Sequence, residues 1–346
     1  MWNGEVVMSK LSVSEGFFQL MEDLNDQKIE LPRKSEDYSL EFSVPSQSGD
    51  KLERLENEGK HKFDSDKGID FLKGKTLFAY DESVNKYKAL EGSAFLTCHS
   101  LVQMTEKTYK PIPHLTVDFY TKSTDIADAS EFIQEPDVNE DIGSKSKKES
   151  VKDRNKVILE NTKENSIVFI DGPLVGAQTT SLSLKLVEGL RKKGCTPIFF
   201  VKNSDSSMVT DYRTDLRKKF NSDIHWANEK LSTGSRTDFY KYIDQENSSN
   251  AKVFCYIKPF EASPQRVELP VGVYEENKHQ IDDLMGLVYY LMIAHGDEKP
   301  QVRTIAIAED YARSVIDMID LEKFMETRVT PTMNEDRGLE GGDQPW

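Results

Sequence analysis

Runs of apolar residues alternate with polar, turn-rich segments along most of the chain. Unbroken apolar runs of about four to eight residues are typical of buried strands, whereas apolar residues about three or four positions apart are typical of helices. The first part of this pattern predicts three strands, over residues 75–81, 92–104 and 113–121. Polar or Pro-marked turns join them, which favours antiparallel pairing between neighbours.

Farther along the chain, predicted helices alternate with predicted strands. The pattern gives a helix over residues 149–164, a strand over 166–171, a helix over 177–194 that ends at Gly194, and a strand over 196–202. This alternation indicates a parallel portion of sheet, in which ligands bind at the carboxyl ends of the strands. Two strands (252–257 and 265–273) and two closing helices (279–296 and 303–319) complete the series.

The whole succession predicts an α/β fold built on one mixed sheet. Three antiparallel strands followed by alternating helices and strands, flanked by helices, resemble RNase H-like folds. We expect three regions: a polar, partly flexible N-terminal extension over residues 1–70, a main domain over 71–328, and a flexible tail over 329–346. The extension has a short helical pattern near residues 17–24, and a polar linker at residues 125–148 interrupts the main domain.

Composition and cysteine usage narrow the class of protein. Hydrophobic residues make up 37% of the chain and charged residues 30%, as in an ordinary globular protein. No apolar run approaches the roughly 18–20 residues of a membrane helix, so we expect no membrane partner. Three widely separated cysteines, Cys98, Cys195 and Cys255, favour a reducing cytoplasm over disulfides or a zinc site.

The net charge of −15 argues against a nucleic-acid partner, because phosphate contacts are made by Lys and Arg. The acidic residues are concentrated in the N-terminal extension, around residues 131–141 and in the tail. Residues 166–266, in contrast, carry 15 Lys and Arg against 11 Asp and Glu. The basic middle of the chain therefore remains compatible with DNA, although a run of charge is more often a solvated face.

Two acids end hydrophobic strands of the predicted sheet: Asp81 follows "LFAY" and Asp171 follows "IVFI". An acid in this position costs desolvation free energy unless hydrogen bonds or a cation neutralise it. Asp-Gly after a strand is equally typical of a turn, so Asp171 alone decides nothing. If the two acids converge, their oxygens form a hard site suited to Mg²⁺ or Mn²⁺.

A third acidic ligand is expected from a helix that packs over these strands. Glu149, at the start of the predicted helix 149–164, is one candidate and Glu160 competes with it. Glu149 is about as well explained as a favourable acid in a first helical turn. Glu309 and Asp310, on the predicted helix 303–319, are candidates for an accessory ligand, although helix acids more often face solvent.

Three basic residues are candidates for binding DNA phosphate: Lys202, Arg236 and Arg266. Lys202 ends a strand and precedes the small polar residues "NSDSS", which can donate hydrogen bonds. Each of the three is also explained as a surface charge or as a guard at a sheet edge. The sequence has no P-loop, no dinucleotide-binding glycine loop and no motif of a serine or cysteine nucleophile, which disfavours ATPases and dinucleotide enzymes.

Four segments together resemble the NurA nucleases of DNA double-strand-break repair. They are "FIDGPL" (169–174), "PIFFVKNSDSSMV" (197–209), "LSTGSRTDF" (231–239) and "RVELP" (266–270), in this order and spacing. The resemblance extends from about Gly74 to Met318. It implies an RNase H-like fold, homodimers, degradation of DNA with Mn²⁺ or Mg²⁺, and a hexameric HerA-type helicase-translocase as partner. On this resemblance the metal-binding acids correspond to Asp81, Asp171 and a helix Glu, for which we choose Glu149.

The sequence departs from the NurA pattern at two positions. The first strand of the family usually ends in "DGS", whereas this chain has "DES", with Glu82 in place of Gly. Glu309 stands where the family has a His on its last helix; a carboxylate can bind a hard metal but cannot act as an imidazole base. Two alternatives to a nuclease therefore remain: a catalytically weak subunit that guides DNA or supports the translocase, and an unrelated α/β protein that acts on a small metabolite.

Overall fold

The structure is a computed structural model that describes residues 51–331, except for residues 58, 60, 106–107, 129–132, 138–139, 176–178, 203, 214, 218, 245–246, 248–249, 299 and 327. Residues 1–50 of the predicted extension, with its helical pattern near 17–24, and residues 332–346 of the predicted tail lie outside the described residues. Within the described part of the chain, no helix has the length and apolarity that a membrane span requires.

Among the described residues, one mixed sheet of twelve strands forms the centre of the fold, which is therefore of the mixed α/β class, as expected. The strands are β1 (Lys51–Arg54), β2 (His61–Lys62), β3 (Leu77–Lys88), β4 (Ser93–Met104), β5 (Tyr109–Tyr120), β6 (Ile133–Gln134), β7 (Ile167–Asp171), β8 (Thr196–Val201), β9 (Ser235–Arg236), β10 (Tyr240–Ile243), β11 (Lys252–Lys258) and β12 (Gln265–Pro270). Their order across the sheet is β1-β10-β11-β12-β8-β7-β3-β4-β5-β6, and β9 pairs with β2 and β11.

Ten α-helices are described beside the sheet: α1 (Ser65–Leu72), α2 (Thr124–Ala127), α3 (Ile142–Asn161), α4 (Thr180–Lys192), α5 (Met208–Tyr212), α6 (Asp223–Lys230), α7 (Val271–Asn277), α8 (Ile281–Ile293), α9 (Arg303–Asp317) and α10 (Leu321–Glu326). The strands β3, β4 and β5 pair antiparallel, and β3, β7 and β8 pair parallel, as the sequence pattern predicts. The two kinds of pairing meet at β3, in the middle of the sheet.

Alternate residues of the central strands pack on opposite faces of the sheet. One face, which we call the α9 face, buries Ala79, Phe169 and Phe200 together with residues of α8 and α9 such as Leu287 and Ile305. The other, which we call the α3 face, buries Phe78, Tyr80, Val168 and Ile170 together with Val157, Ile158, Leu186 and Leu190 of α3 and α4. Because both faces are covered, β7 and β8 are apolar along almost their whole length.

Some element boundaries differ from the predictions. The strand β3 continues seven residues beyond Asp81, because the chain stays paired with β4 after the pairing with β7 has ended. The segment 125–148 is not a continuous linker: it contains β6, part of α2 and the start of α3. The helix α3 begins at Ile142, where Asp141 caps it by accepting a hydrogen bond from the Ser144 N–H. Its first two turns are polar, so apolar spacing could not reveal them.

Two further strand boundaries, both near prolines, differ from the predictions. The predicted strand 265–273 ends at Pro270, and α7 starts at Val271, since Pro lacks the N–H that would continue the ladder. The strand β5 starts at Tyr109 rather than at residue 113, with Pro111 and Pro113 inside it. Residues 51–70 of the predicted extension contribute β1, β2 and most of α1, and β1 pairs with β10 along its whole length.

Candidate functional site

Asp81 and Asp171 lie on adjacent parallel strands. The pairing of β3 with β7 ends at Tyr80 and Ile170, so the two aspartates come next on neighbouring strands. Strand alternation places both on the α9 face, two residues beyond the buried Ala79 and Phe169. The sequence pattern predicted this convergence, and the parallel register is its physical cause.

Lys202 lies between these two carboxylates. It follows β8, the parallel neighbour of β7, and shares the α9 face with Phe200 two residues before it. Its Nζ atom is 3.1 Å from Asp171 Oδ2 and 3.6 Å from Asp81 Oδ2. Lys202 was expected to contact DNA phosphate, and the structure places its ammonium group among acids of the same chain.

Glu309 completes the group from the helix α9. Its Oε2 atom is 3.3 Å from Lys202 Nζ and 3.1 Å from the side-chain nitrogen of Gln301, and Arg313 binds its other oxygen at 2.6 Å. The helix α9 can approach the sheet closely because Ala308 and Ala312, which face it, are small and fully buried. We call Asp81, Asp171 and Glu309, with Lys202 at their centre, the carboxylate cluster.

Burial and a neighbouring carboxylate raise the pKa of each aspartate: Asp171 acts on Asp81, and Glu309 acts on Asp171. Burial raises the pKa of Asp81 well above its usual value, and the neighbouring Asp171 carboxylate raises it further, against the opposing effect of Lys202. Burial also raises the pKa of Asp171, although Lys202 counteracts much of this. One ammonium therefore does not fully compensate two aspartates that lie this close together.

The pKa shifts of Lys202 and Glu309, unlike those of the two aspartates, favour the charged forms of the side chains. Burial alone would lower the pKa of Lys202, but Asp171, Asp81 and Glu309 raise it above its ordinary value, so the group stays charged. Burial would raise the pKa of Glu309, but Lys202, Gln301 and Arg313 lower it. The side chains of Asp171, Glu309 and Lys202 are 23%, 18% and 29% exposed, so the cluster is open to solvent and to ligands.

The donor set of the carboxylate cluster suits a divalent metal ion. Three carboxylates from β3, β7 and α9 already converge on one cationic atom, and carboxylate oxygens are the ligands that Mg²⁺ and Mn²⁺ prefer. The cluster is wider than a closed metal site, because its ligand atoms do not all lie within 4.8 Å of one another. This spacing is consistent with an ammonium group at the centre.

The structure does not bring Glu149 to this cluster. The helix α3 packs on the α3 face of the sheet, whereas Asp81 and Asp171 lie on the α9 face. The Glu149 carboxylate instead binds Lys152 at 2.7 Å and Lys145 at 3.4 Å on its own helix. Glu160, the competing candidate, is exposed on α3. The sequence does not show which face of the sheet each helix covers. That choice determines which helix acid lies near Asp81 and Asp171.

Asp310 is exposed on α9 and is not placed with Glu309, because adjacent residues of a helix point in different directions. Arg236 and Arg266 are also elsewhere, and both are buried. Arg236 binds both oxygens of Glu56, at 2.7 and 2.8 Å, and Asp282 at 2.7 Å. Arg266 binds Glu268 at 2.8 Å. Both guanidinium groups therefore have carboxylate partners within the chain.

A second group of potential metal ligands lies near Arg236. Atoms of Glu56, His61 and Asp238 all lie within 4.8 Å of one another, the tightest such group among the described residues. The Glu56 carboxylate, however, already accepts hydrogen bonds from Arg236 and from the Phe239 N–H, and His61 Nε2 lies 2.8 Å from Asp238 Oδ1. This group ties the segment after β1 to the sheet, and its charges are largely compensated.

Glu268 is a buried acid that was not among the site residues predicted from the sequence. It lies within β12, is fully buried, and accepts hydrogen bonds from Lys252 Nζ at 2.6 Å and from Arg266 Nε at 2.8 Å. The available signal was a run of alternating charged and apolar residues, "RVELP", in a strand covered on both faces. Charged residues rarely occupy such positions without a partner.

Three solved structures are similar to this chain at low sequence identity. The NurA nuclease from Sulfolobus solfataricus is 11% identical, with a TM-score of 0.45, over 79% of this chain and 88% of that chain. Endonuclease V from Bacillus subtilis is 10% identical, with a TM-score of 0.38, over 70% of this chain and 81% of that chain. A NurA crystallised with manganese is 6% identical, with a TM-score of 0.32, over 73% of this chain and 89% of that chain.

No curated protein matches the sequence. The family model of the NurA domain matches residues 32–314, which include every residue of the carboxylate cluster. Since this match covers most of the 346 residues, the chain belongs to the NurA domain family.

Proposed function

We propose that the chain is a divalent-metal-dependent DNA nuclease of the NurA type, with an RNase H-like catalytic domain over residues 71–328. The observation that carries this proposal is the convergence of three carboxylates on one cationic atom, at the end of the parallel pairing between β3 and β7. Ligands of α/β sheets bind at the carboxyl ends of parallel strands, where Asp171 and Lys202 lie.

We assign metal binding to Asp81, Asp171 and Glu309, with Glu309 in place of Glu149. A divalent cation, Mn²⁺ or Mg²⁺, supplies Lewis-acid chemistry when bound: it acidifies water and stabilises charge on phosphate oxygens. Burial and the Asp171 carboxylate raise the pKa of Asp81, and a bound cation would counteract that rise. Glu309, whose pKa is lowered, contributes a full negative charge from the helix.

We assign the contact with DNA phosphate to Lys202, because it is charged, partly exposed and adjacent to the acids. A contact with phosphate orients the backbone without reading the bases, so we expect little sequence preference. Arg236 and Arg266 hold internal carboxylates, and we assign them to internal ion pairs rather than to DNA. The NurA resemblance further supports a homodimer that works beside a HerA-type translocase in the processing of DNA ends.

Digestion of end-labelled DNA by the full chain, with Mn²⁺, with Mg²⁺ and with EDTA, tests this proposal. We expect cleavage with either metal and none with EDTA. Asp81→Asn should remove cleavage, whereas Asp70→Asn, the same change at an exposed acid of α1, should not. A chain that binds DNA but does not cleave it with either metal, alone or with its translocase, would contradict the nuclease proposal.

One observation favours the second candidate, a catalytically weak subunit that guides DNA. The Lys202 ammonium lies between the carboxylates that a metal ion would need, and an ion pair of this kind competes with metal binding. The two functions differ in metal affinity. Millimolar or tighter binding of Mn²⁺ alone, measured by isothermal titration calorimetry, supports the nuclease, and absence of binding together with intact DNA binding supports the guide.

A further inference from the structure

Three charged residues form a buried triad on β11 and β12: Lys252, Arg266 and Glu268. All three are at least nine-tenths buried, and Glu268 is completely buried. Replacing a buried ion pair by apolar residues is often neutral or even stabilising, so charge pairing alone gives no reason for three charged side chains here. We call these residues the buried charge triad, and its hydrogen bonds reach two loops beside the carboxylate cluster.

Glu268 holds the loop that follows β7. This loop, residues 172–175, begins directly after Asp171 and is called the β7 loop here. The Leu174 N–H donates to Glu268 Oε2 at 2.8 Å, and the Leu174 side chain is fully buried. Gly172 starts the loop at φ = 98°, which favours glycine, and its N–H donates to the Phe200 carbonyl at 2.8 Å. Only two residues, Gly172 and Pro173, separate Leu174, whose amide is held, from Asp171.

Arg266 holds the loop that follows β8. This loop, described over residues 204–207, comes shortly after Lys202 and is called the β8 loop here. Arg266 Nη1 donates to the hydroxyl oxygens of Ser204 and Ser206, each at 2.6 Å. The antiparallel pairing of β12 with β8 places Arg266 beside Val201, so its side chain reaches the loop that leaves the same strand.

The bond between Glu268 and Arg266 joins the two loops. Burial alone would raise the pKa of Glu268, but Lys252 and Arg266, together with the Leu174 N–H, outweigh it and lower the pKa, so Glu268 stays a carboxylate. As a carboxylate it accepts from Lys252 and Arg266 through Oε1 and from the β7 loop through Oε2. A neutral side chain of the same shape has only one acceptor oxygen and cannot make both sets of bonds.

We propose that Glu268 and Arg266 are positioning residues that fix the β7 and β8 loops, and through them the placement of Asp171 and Lys202 in the carboxylate cluster. This inference rests on the proposed function, since it assigns the cluster to metal binding. Groups that orient the ligands of a metal site typically change metal affinity about 10- to 100-fold when they are altered. Lys252 reaches the same carboxylate from β11, and among the described residues its ammonium is bonded to neither loop.

Hydrogen–deuterium exchange of the full chain tests the positioning role without any metal. In Glu268→Gln, we expect the amides of the β7 loop to exchange up to about tenfold faster than in the unaltered chain, which is the scale of one lost hydrogen bond. The matched control is Lys252→Met, which removes a buried partner of Glu268 and should leave the β7 loop protected. If Glu268→Gln and Lys252→Met change the exchange of this loop equally, Glu268 acts only through stability, and the proposal is overturned.

Titration with Mn²⁺ alone, at a temperature well below the melting transition of each variant, tests the consequence for the site. We expect the affinity for Mn²⁺ to fall about 10- to 100-fold in Glu268→Gln and to be unchanged in Lys252→Met. A double variant, Ser204→Ala with Ser206→Ala, leaves the triad intact and releases the β8 loop from Arg266. It should speed exchange in the β8 loop and leave the β7 loop unaffected, which keeps the proposal testable if Glu268→Gln does not fold.

The outcomes separate this inference from the proposed function. If the unaltered chain neither binds Mn²⁺ nor cleaves DNA, the proposed function fails, while hydrogen exchange still decides whether the triad fixes the loops. If the unaltered chain binds Mn²⁺ and both Glu268→Gln and the double serine variant bind it equally well, with loop exchange unchanged, the positioning role fails and the nuclease proposal stands.

Discussion

The carboxylate cluster and the buried charge triad are both built on the central strands of one sheet, yet their charges are balanced in opposite ways. The cluster has three acids around one lysine and is partly exposed, whereas the triad has one acid between two bases and is closed to solvent. In the triad both oxygens of Glu268 are hydrogen-bonded. In the cluster two aspartates keep a raised pKa.

The difference shows which group of charges is suited to a ligand. A cluster with uncompensated negative charge and access to solvent can gain free energy by binding a cation. The closed triad already holds its single acid between two bases and has no such gain, and removing Glu268 leaves two buried cations without a carboxylate partner. Substitutions that remove one acid should therefore have opposite effects on stability in the two places.

The largest expected effect is at Asp171. Asp171→Asn should abolish DNA cleavage and the binding of Mn²⁺, because it removes one of the three carboxylates of the cluster. Its melting temperature in metal-free buffer should be unchanged or slightly raised, since repulsion with Asp81 is relieved. Activity assays and thermal melts of the purified variant measure both. The matched control is Asp317→Asn, the same change at an exposed acid at the end of α9, which should alter neither quantity. A variant of Asp171 that loses activity because it unfolds would show that the acid is structural.

The second effect is a loss of stability at Glu268. Glu268→Leu should lower the free energy of unfolding by about 3–5 kcal/mol, because it leaves two buried cations without their acid. Urea denaturation gives this free energy. The comparison variant is Glu276→Leu, which breaks the exposed ion pair with Arg191 and should cost no more than about 1 kcal/mol. Similar costs at the two positions would refute the distinction between a closed triad and surface pairs.

A smaller effect is expected at Glu309, the third acid of the cluster. Glu309→Gln should raise the Mn²⁺ concentration for half-maximal cleavage by at least roughly tenfold. A change of a group that only orients a metal ligand already lowers metal affinity by about that factor, and loss of a ligand should lower it no less. Glu309→His should retain part of the activity, because imidazole also binds Mn²⁺. Steady-state cleavage rates at a series of Mn²⁺ concentrations decide this. If both variants behave like the unaltered chain, Glu309 is not a ligand, and the exposed Tyr311 and Asp310 become the residues to test.

The smallest effect concerns Glu82, which strand alternation places on the opposite face from Asp81. Burial raises the pKa of Glu82, but hydrogen bonds with His99 and Tyr80 outweigh it and lower the pKa from 4.5 to about 2. A depressed carboxyl pKa stabilises the fold above the ordinary value of 4.5, and this contribution is lost as the pH falls from there towards about 2. The side chain is 35% exposed, so water weakens the contribution.

Glu82→Gln should therefore have a shallower loss of stability over that acid range than the unaltered chain, with little change at neutral pH. Urea denaturation at several pH values measures the slope. At neutral pH the Mn²⁺ dependence of cleavage should stay the same, because the variant keeps the backbone N–H that donates to Asp81 at 2.8 Å. If the free energy of unfolding of the variant falls with decreasing pH as steeply as that of the unaltered chain, Glu82 is not the source of this pH dependence.

The strand pattern predicted the centre of the site because it depends on local periodicity. Asp81 and Asp171 each follow an apolar run, and parallel pairing of such strands brings their ends together without further information. The same reasoning predicted the position of Lys202 at the end of the next strand, but it did not predict which groups its ammonium contacts. Whether an ammonium at a strand end contacts solvent, DNA or acids of its own chain depends on side chains from β3 and α9, which are distant in sequence.

The choice among helix acids shows the limit most clearly. Glu149 and Glu309 both lie on helices near the sheet, and the sequence offered similar reasons for each. The structure separates them, because α3 covers one face and α9 the other. Arg236 and Arg266 are a second example: their charge was plain in the sequence, but their burial against Glu56 and Glu268 was not.

By itself the sequence determined the order of the longer strands and helices, the mixed sheet and the two aspartates, since these follow from apolar spacing and from chain connectivity. The tertiary structure alone decided which face each helix covers, and so which acid joins the aspartates and which cation lies between them. The physical reason is that a shift of one residue along a strand places a side chain on the opposite face of the sheet. The acids of a helix likewise reach only the face on which that helix packs. Contacts between residues as distant as Lys202 and Glu309 fix that choice in the folded chain.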